Sequence, residues 1–251
     1  MILEIRGLTR FFQRLAAVND LSFAVKQGDI KALIGPNGAG KTTTFNMVTG
    51  LLAPSRGSVF FKGEELATLP PHVRARKGLS RTFQIVRPFA EMSVLENVMI
   101  GCDMRTGSGL FSAALRLPRS LRDERKVRRK AMEELEFVGL AARANDPATS
   151  LPMGEQRVME IARALASDPE IVLFDEPAAG LNEKETDQLA KNLLRIKERG
   201  ITVLLVEHDM RLVMRVSDEV VVINYGSLIA EGTPSEIRNN PEVITAYLGT
   251  S

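Results

Sequence analysis

The chain has 251 residues, 44% hydrophobic and 25% charged, the balance of an ordinary folded protein rather than a disordered or fibrous one. Its formal net charge of +2 is too small to imply nucleic-acid binding by itself. A single cysteine, Cys102, excludes an internal disulfide, and no Cys/His cluster has zinc-binding spacing, so a reducing compartment is expected.

The first segment, MILEIRGLTRFF, carries Glu4 and Arg6 where a signal peptide needs an apolar core. No stretch approaches the ~18 uninterrupted apolar residues of a membrane span. The expectation is a cytoplasmic protein that reaches a membrane, if at all, through partners. MILEIRGL, LSFAV and SVFFKG predict short strands separated by polar turns, so the chain opens with β structure. Among them lies DIKALIG (29–35), a short buried strand, followed after a glycine-rich turn by KTTTFNMVTG (41–50), a helix ended by Gly50.

The turn fits G-x-x-x-x-G-K-[ST], with Gly35, Gly40, Lys41 and Thr42 at the fixed positions. Glycines let successive backbone N–H groups point inward at an anion, a lysine reaches the outer phosphates, and a threonine hydroxyl holds Mg²⁺. The strand before and the helix after place a phosphate at a helix N-terminus, where unpaired amides and the macrodipole favour negative charge. Gly35, Pro36, Asn37, Gly38, Ala39, Gly40, Lys41, Thr42 and Thr43 are therefore the expected nucleotide-binding loop, with ATP and Mg²⁺ as its ligands.

Further along, His72 in LPPHVRA is read as incidental, on a proline-marked loop. From about Pro88 to Ser150 the pattern is mostly helical, through SVLENVMIG and KVRRKAMEELEFVGL. The run from Arg116 to Lys130 holds eight basic residues, two acids and no aromatic. Single-strand binders interleave stacking side chains with their charges, so a solvated helix face near a membrane partner or anionic lipid explains it better than nucleic acid. Two buried runs follow, EIVLFDE (170–176) and ITVLLVEH (201–208), with the helical KETDQLAKNLLRIKERG between them. DEVVVIN and LIAEG predict a closing pair of strands before a short C-terminal helix.

Alternating strands and helices argue for an α/β core with a mainly parallel sheet. The expected division is a nucleotide-binding core from 1–87 and 151–232, an inserted helical subdomain from 88–150, and a C-terminal helical tail from 233–251. Asp175 and Glu176 stand at the carboxyl end of a strand, where open parallel sheets bind ligands. Asp175 is placed to hold the Mg²⁺ shell and Glu176 to act as general base on a water attacking the γ-phosphate. His208 emerges on the same sheet edge.

These motifs occur in one order with the glutamine of SRTFQIVRPF, the segment LPMGEQRVMEIARAL, AAGLN and EHD. In that order the whole chain closely resembles the ATPase subunit of ABC transporters. The resemblance implies a P-loop (RecA-like) fold with an N-terminal antiparallel β part. It also implies roles: Phe12 stacks on adenine, with a core phenylalanine at a strand end as the alternative. Gln84 senses Mg²⁺ and the attacking water, Asn182 sits in the loop facing the opposite subunit, His208 contacts the γ-phosphate, and Glu176 is the base. Asp175 holds Mg²⁺ through water. Where the family has Leu-Ser-Gly-Gly-Gln, this chain reads Leu151-Pro152-Met153-Gly154-Glu155, without the serine donor to the partner's ATP.

RTFQIVRPFAEMSVLENV, LFDEPAAGLNEKET, VEHDMRLVM and GTPSEIRNNPEVITAYLG together resemble one branch, the ATPases of branched-chain amino-acid uptake. That branch implies two permease subunits, a related ATPase as heterodimer partner, a periplasmic or extracellular solute-binding protein acting indirectly, and a place on the cytoplasmic face of the inner membrane. A soluble ABC-type ATPase acting on nucleic acid or ribosomes is the rival. It would be expected to carry two nucleotide domains or long coiled-coil insertions, and this chain has one P-loop and no sustained heptads. A regulator without turnover would be expected to lack Glu176 or His208.

Overall fold

A computed structural model describes residues 1–82, 88–106 and 118–248. Two sheets face each other across one core. The first is antiparallel, in the order β2-β1-β4-β5, from β1 (Leu3–Phe12), β2 (Leu15–Val25), β4 (Arg56–Phe61) and β5 (Glu64–Glu65). The second has the order β10-β9-β3-β8-β7-β6. Its members are β3 (Ile30–Ile34), β6 (Leu79–Arg81), β7 (Ile171–Asp175), β8 (Thr202–Val206), β9 (Glu219–Asn224) and β10 (Ser227–Gly232). All pair in parallel except β10, which closes an antiparallel hairpin on β9.

Strands β3, β7 and β8 are buried along their whole length, as a parallel sheet covered on both faces requires. Successive side chains point to opposite faces, and the burial follows that alternation. Ile171, Leu173, Leu204 and Val206 pack toward the antiparallel sheet with Leu33, Val221 and Ile223. Val172, Phe174, Val203 and Leu205 pack toward the helices. That helical side gathers α3 (Val94–Thr106), α4 (Pro118–Val138), α5 (Met153–Leu165) and α6 (Glu183–Glu198). A single apolar cluster runs from Val94, Val98 and Leu135 through Leu165 to Phe174 and Leu193.

The helical part is also tied to the core electrostatically. Glu134 on α4, almost wholly buried, accepts from Arg199 at 2.6 Å and pairs with Lys130 at 2.9 Å. The guanidinium groups of Arg195 and Arg199 lie 4.2 and 3.5 Å from the Phe137 ring centre.

Helix α1 (Lys41–Thr49) follows the glycine turn as expected, with Phe45, Met47 and Val48 in the cluster between the two sheets, and three elements differ from the sequence reading. His72 is not on a loop but in α2 (Pro71–Arg76), whose first position is a proline. Proline fits there because the N–H it lacks would be unpaired in any first turn. A short helix, α7 (Met210–Val216), follows His208, started by the Asp209 side chain accepting from Arg211 and Leu212 N–H. The tail is two helices, α8 (Pro234–Arg238) and α9 (Pro241–Leu248). Ile237 and Val243 from these helices pack with Ile34 and Val222, so the tail belongs to the core. One turn beyond Val243, loss of water around its hydroxyl pushes the Tyr247 phenol up to about 12, although 40% of the residue stays exposed.

Arg74 on α2 is 3% exposed, and no carboxylate is among its hydrogen-bond partners. It donates instead to four carbonyls: Leu66 (2.6 Å), Val48 (2.7 Å), Met47 and Leu69 (both 2.8 Å). Two of these end α1, so the guanidinium does the work of a C-terminal cap from another helix. Arg74→Met fills the volume but leaves buried carbonyls without donors, each a loss of about 1–3 kcal/mol. The variant is expected to unfold at a clearly lower urea midpoint, by about 3 kcal/mol or more. An unchanged midpoint would refute the capping role.

Candidate active site

Between β3 and α1 the chain makes a tight turn that only small residues allow. A Cβ on Gly35 would lie 2.1 Å from the Ile223 carbonyl oxygen, and one on Gly40 would lie 2.4 Å from that of Ala17. Gly40 also takes φ 103°, a left-handed conformation that glycine adopts without penalty. Lys41 is 6% exposed, and its Nζ donates to the carbonyls of Gly35 at 2.6 Å and Pro36 at 2.9 Å. Burial lowers its pKa, while Glu176 and then Asp175 pull it back up, so the ammonium lies in the field of both acids.

The start of α1 has no side-chain cap and no acid in its first turn. By contrast α6, α7 and α8 are capped by Asn182, Asp209 and Thr233. Thr42 stands exposed at this open end beside half-buried Thr43, while Asn37 and Gly38 form the exposed crest of the turn. Free amides, a helix dipole and a fixed cation converge on one spot, which suits a polyphosphate anion.

Asp175 ends β7 and is 4% exposed; its Oδ2 accepts from Arg81 at 2.7 Å. Arg81, on the adjacent β6, also donates to Asn46 Oδ1 at 2.8 Å and Thr49 Oγ1 at 3.2 Å on α1. The acid is thereby held at a fixed place relative to the phosphate loop. Glu176, the next residue, has φ 50°, unusual for a residue with a side chain. Its N–H donates to Val206 O at 2.9 Å, and its Oε1 is 2.7 Å from His208 Nε2. An ionised carboxylate only accepts, so Nε2 carries the proton in this contact. The sheet order brings together two side chains 32 positions apart in the sequence.

The remaining site residues fall around this centre. Phe12, at the end of β1, is 46% exposed and therefore no core residue; the Arg10 guanidinium lies 5.1 Å from its ring centre. It pairs with Leu15, two residues before the Ala17 carbonyl that touches Gly40. Gln84 lies outside the described residues. Asn182 caps α6 in a reciprocal box with Glu185. In the signature segment Leu151 is buried and Pro152 is the residue before α5, so Met153, Gly154 and Glu155 form that helix's first turn, one turn earlier than QRVMEIARAL implies.

Met153 is 65% exposed, and a Cβ on Gly154 would sit 2.4 Å from Glu185 Oε1. The segment thus abuts the loop that ends in Asn182. Glu155 accepts from Arg143 at 3.0 Å, which offsets its charge. Arg81 and Arg157 escape sequence reading because their partners, Asp175 and the Glu176 carbonyl, lie on other elements.

Comparison with known proteins agrees with this geometry. Residues 18–179 match the ABC transporter family, and residues 227–251 match the branched-chain amino acid ATP-binding cassette transporter family. The high-affinity branched-chain amino acid transport ATP-binding protein BraF of Pseudomonas aeruginosa is 47% identical over 99% of this chain and 98% of its own length. LivG of Escherichia coli K12, with the same description, is 45% identical over the same shares. The crystal structure of a nucleotide-free ATP-binding cassette from an ABC transporter superposes with a TM-score of 0.86 at 33% identity, covering 99% of each chain. A cassette in its ADP conformation gives 0.86 at 32%, with the same coverage. The chain belongs to the ABC transporter family, among its nucleotide-binding ATPase subunits of the branched-chain amino acid branch.

Proposed function

We propose that this chain binds and hydrolyses ATP to drive uptake of branched-chain amino acids, or of related small solutes, through membrane permease subunits. The contact between Glu176 and His208, beside the open end of α1, carries the reading. The phosphate loop, residues 35–43, would hold the triphosphate on amides and Lys41, with Phe12 against the adenine. Glu176 would take the proton of the attacking water, and His208 holds that carboxylate in place until it turns to the γ-phosphate.

Oxygen donors suit a hard cation that keeps part of its water shell. Thr42, Gln84 and, through water, Asp175 would hold Mg²⁺, which when bound supplies charge neutralisation at the phosphates. The buried Arg81 contact fixes Asp175 for that indirect role.

No helix among the described residues is long and apolar enough to cross a membrane. Attachment to the cytoplasmic face of the inner membrane through the permeases, with a solute-binding protein outside, follows from the branch. We also read 1–87 and 151–232 as the nucleotide-binding core, 88–150 as the helical lobe and 233–251 as the tail. Uptake assays on the reconstituted complex, across branched-chain amino acids, urea and aromatic acids, test the solute.

Lys41→Ala should abolish tight ATP binding, since it removes the cation of the cradle together with its ties to Gly35 and Pro36. Unchanged affinity in a calorimetric titration would sink the phosphate-loop assignment. Glu176→Gln should bind Mg-ATP normally and turn over roughly 10²–10⁴-fold more slowly, because an amide accepts no proton. Turnover near wild type in the assembled transporter would remove Glu176 as the base.

The working pair is read as a heterodimer with a related ATPase, because two copies of LPMGE would leave both sites without the serine donor. ATP on this chain would face the partner's more typical signature. Removing the catalytic glutamate from each subunit in turn should then cut turnover unequally, with the larger loss at Glu176. Equal losses would refute the asymmetry, and full transport with this ATPase alone would refute the heterodimer.

A further inference from the structure

Glu207 stands between β8 and His208 and is 3% exposed. Its Oε1 accepts from the Ala178 N–H at 2.7 Å, in the loop that follows Glu176. Its Oε2 accepts from the N–H groups of His208 at 2.7 Å and Asp209 at 3.1 Å. Each end of one carboxylate is therefore bonded to a different loop, and those loops carry the two members of the Glu176–His208 pair.

A third element converges on the same point. Arg157, on α5, donates Nη1 to the Glu176 carbonyl at 3.3 Å, and its buried Nε has no hydrogen-bond partner. Burial lowers the pKa of this guanidinium while Glu207 and then Glu176 raise it, so the cation lies in the field of both carboxylates. A carboxylate is costly to bury unless hydrogen-bonded and offset by a cation; the three N–H donors supply the first and the nearby Arg157 contributes to the second. The preceding strand, Thr202–Val206, shows that an apolar core needs no acid here. An apolar residue at 207 would leave the loops unjoined and buried amides unpaired.

We infer that Glu207 is a positioning residue for hydrolysis: it joins the loop after β7 to the loop after β8, holds Glu176 and His208 in contact, and through Arg157 links that pair to the helix carrying the signature segment. The inference rests on the proposed assignment of Glu176 as base and His208 as its partner. It adds a residue, buried behind the pair, that sets the geometry of the two side chains assigned to the chemistry.

The test is Glu207→Gln in the assembled transporter, read by ATP affinity, KM and kcat. The variant keeps the size, loses the charge facing Arg157, and turns an NH₂ group toward backbone N–H donors at one end. KM and ATP affinity should stay within about two-fold of wild type while kcat falls about 10–100-fold, the pattern of a lost transition-state interaction. In a His208→Ala background Glu207→Gln should cost nothing more, since its effect runs through His208; a merely structural role would multiply the two losses.

Wild-type kcat, a raised KM at unchanged kcat, or multiplying losses would each overturn the inference. Should Glu207→Gln fail to melt cooperatively, Glu207→Asp is read in its place; it keeps the charge but is one methylene too short to span both loops, and the same kcat loss is expected. If Glu176→Gln itself leaves turnover intact, the base assignment falls. If Glu176→Gln stops turnover and Glu207→Gln does not, only the present inference falls.

Discussion

Helix α1 starts with amide donors that no side chain satisfies, and the surrounding architecture holds that opening in shape. Three other helices close such ends, with Asn182, Asp209 and Thr233 each capping the helix they precede, while α2 and α5 start uncapped behind a proline. Leaving α1 open requires a turn too tight for side chains, walled by the Ile223 carbonyl against Gly35 and the Ala17 carbonyl against Gly40. Those walls come from opposite ends of the chain, one on β9 and one on β2. The glycine turn is therefore a joint product of both sheets, with Lys41 pinned inside it and Arg74 closing the far end of the helix it starts.

The parallel sheet performs the second task, delivering acids to that opening. Neighbouring β7 and β8 end side by side, so the residues just past them meet although a whole helix separates them in sequence. Two buried acids fix the approach: an ion pair with Arg81 ties Asp175 to α1, and backbone hydrogen bonds to Glu207 tie the β7 loop to the β8 loop. Such groups contribute little net stability once desolvation is counted, so their value lies in setting geometry.

What could be read from the chain follows from how local each signal is. The glycine turn, the apolar strands and the Gly50 and Gly200 helix ends are local and were legible. So were Glu176 and His208, because strand ends in a parallel sheet share an edge. The α2 helix was hidden by its own prolines, which mark loops and first turns alike. Arg74, Arg157, Glu207 and Lys31 read as ordinary charges until the fold supplies partners; Lys31, 2% exposed, meets Glu219 and Glu231 some 190 and 200 positions on. The same lesson holds for Glu155, an acid without a partner marked in the sequence, which the fold sets beside Arg143. Sequence shows which groups are costly to bury, and only the fold shows what offsets them.

The wall that the Ile223 carbonyl sets against Gly35 bears on the order in which the protein is made. The glycine turn leaves the ribosome about 190 residues before the strand that supplies that wall. At about 5–20 residues per second, that is an interval of roughly 10–40 s. For most of it, β3 has neither of the strands that flank it in the finished sheet, since β8 and β9 are made late. Contacts of such sequence separation fold slowly and leave apolar strand edges waiting. Nucleotide therefore meets a complete cradle only after β9 has joined β3, late in the assembly of the fold.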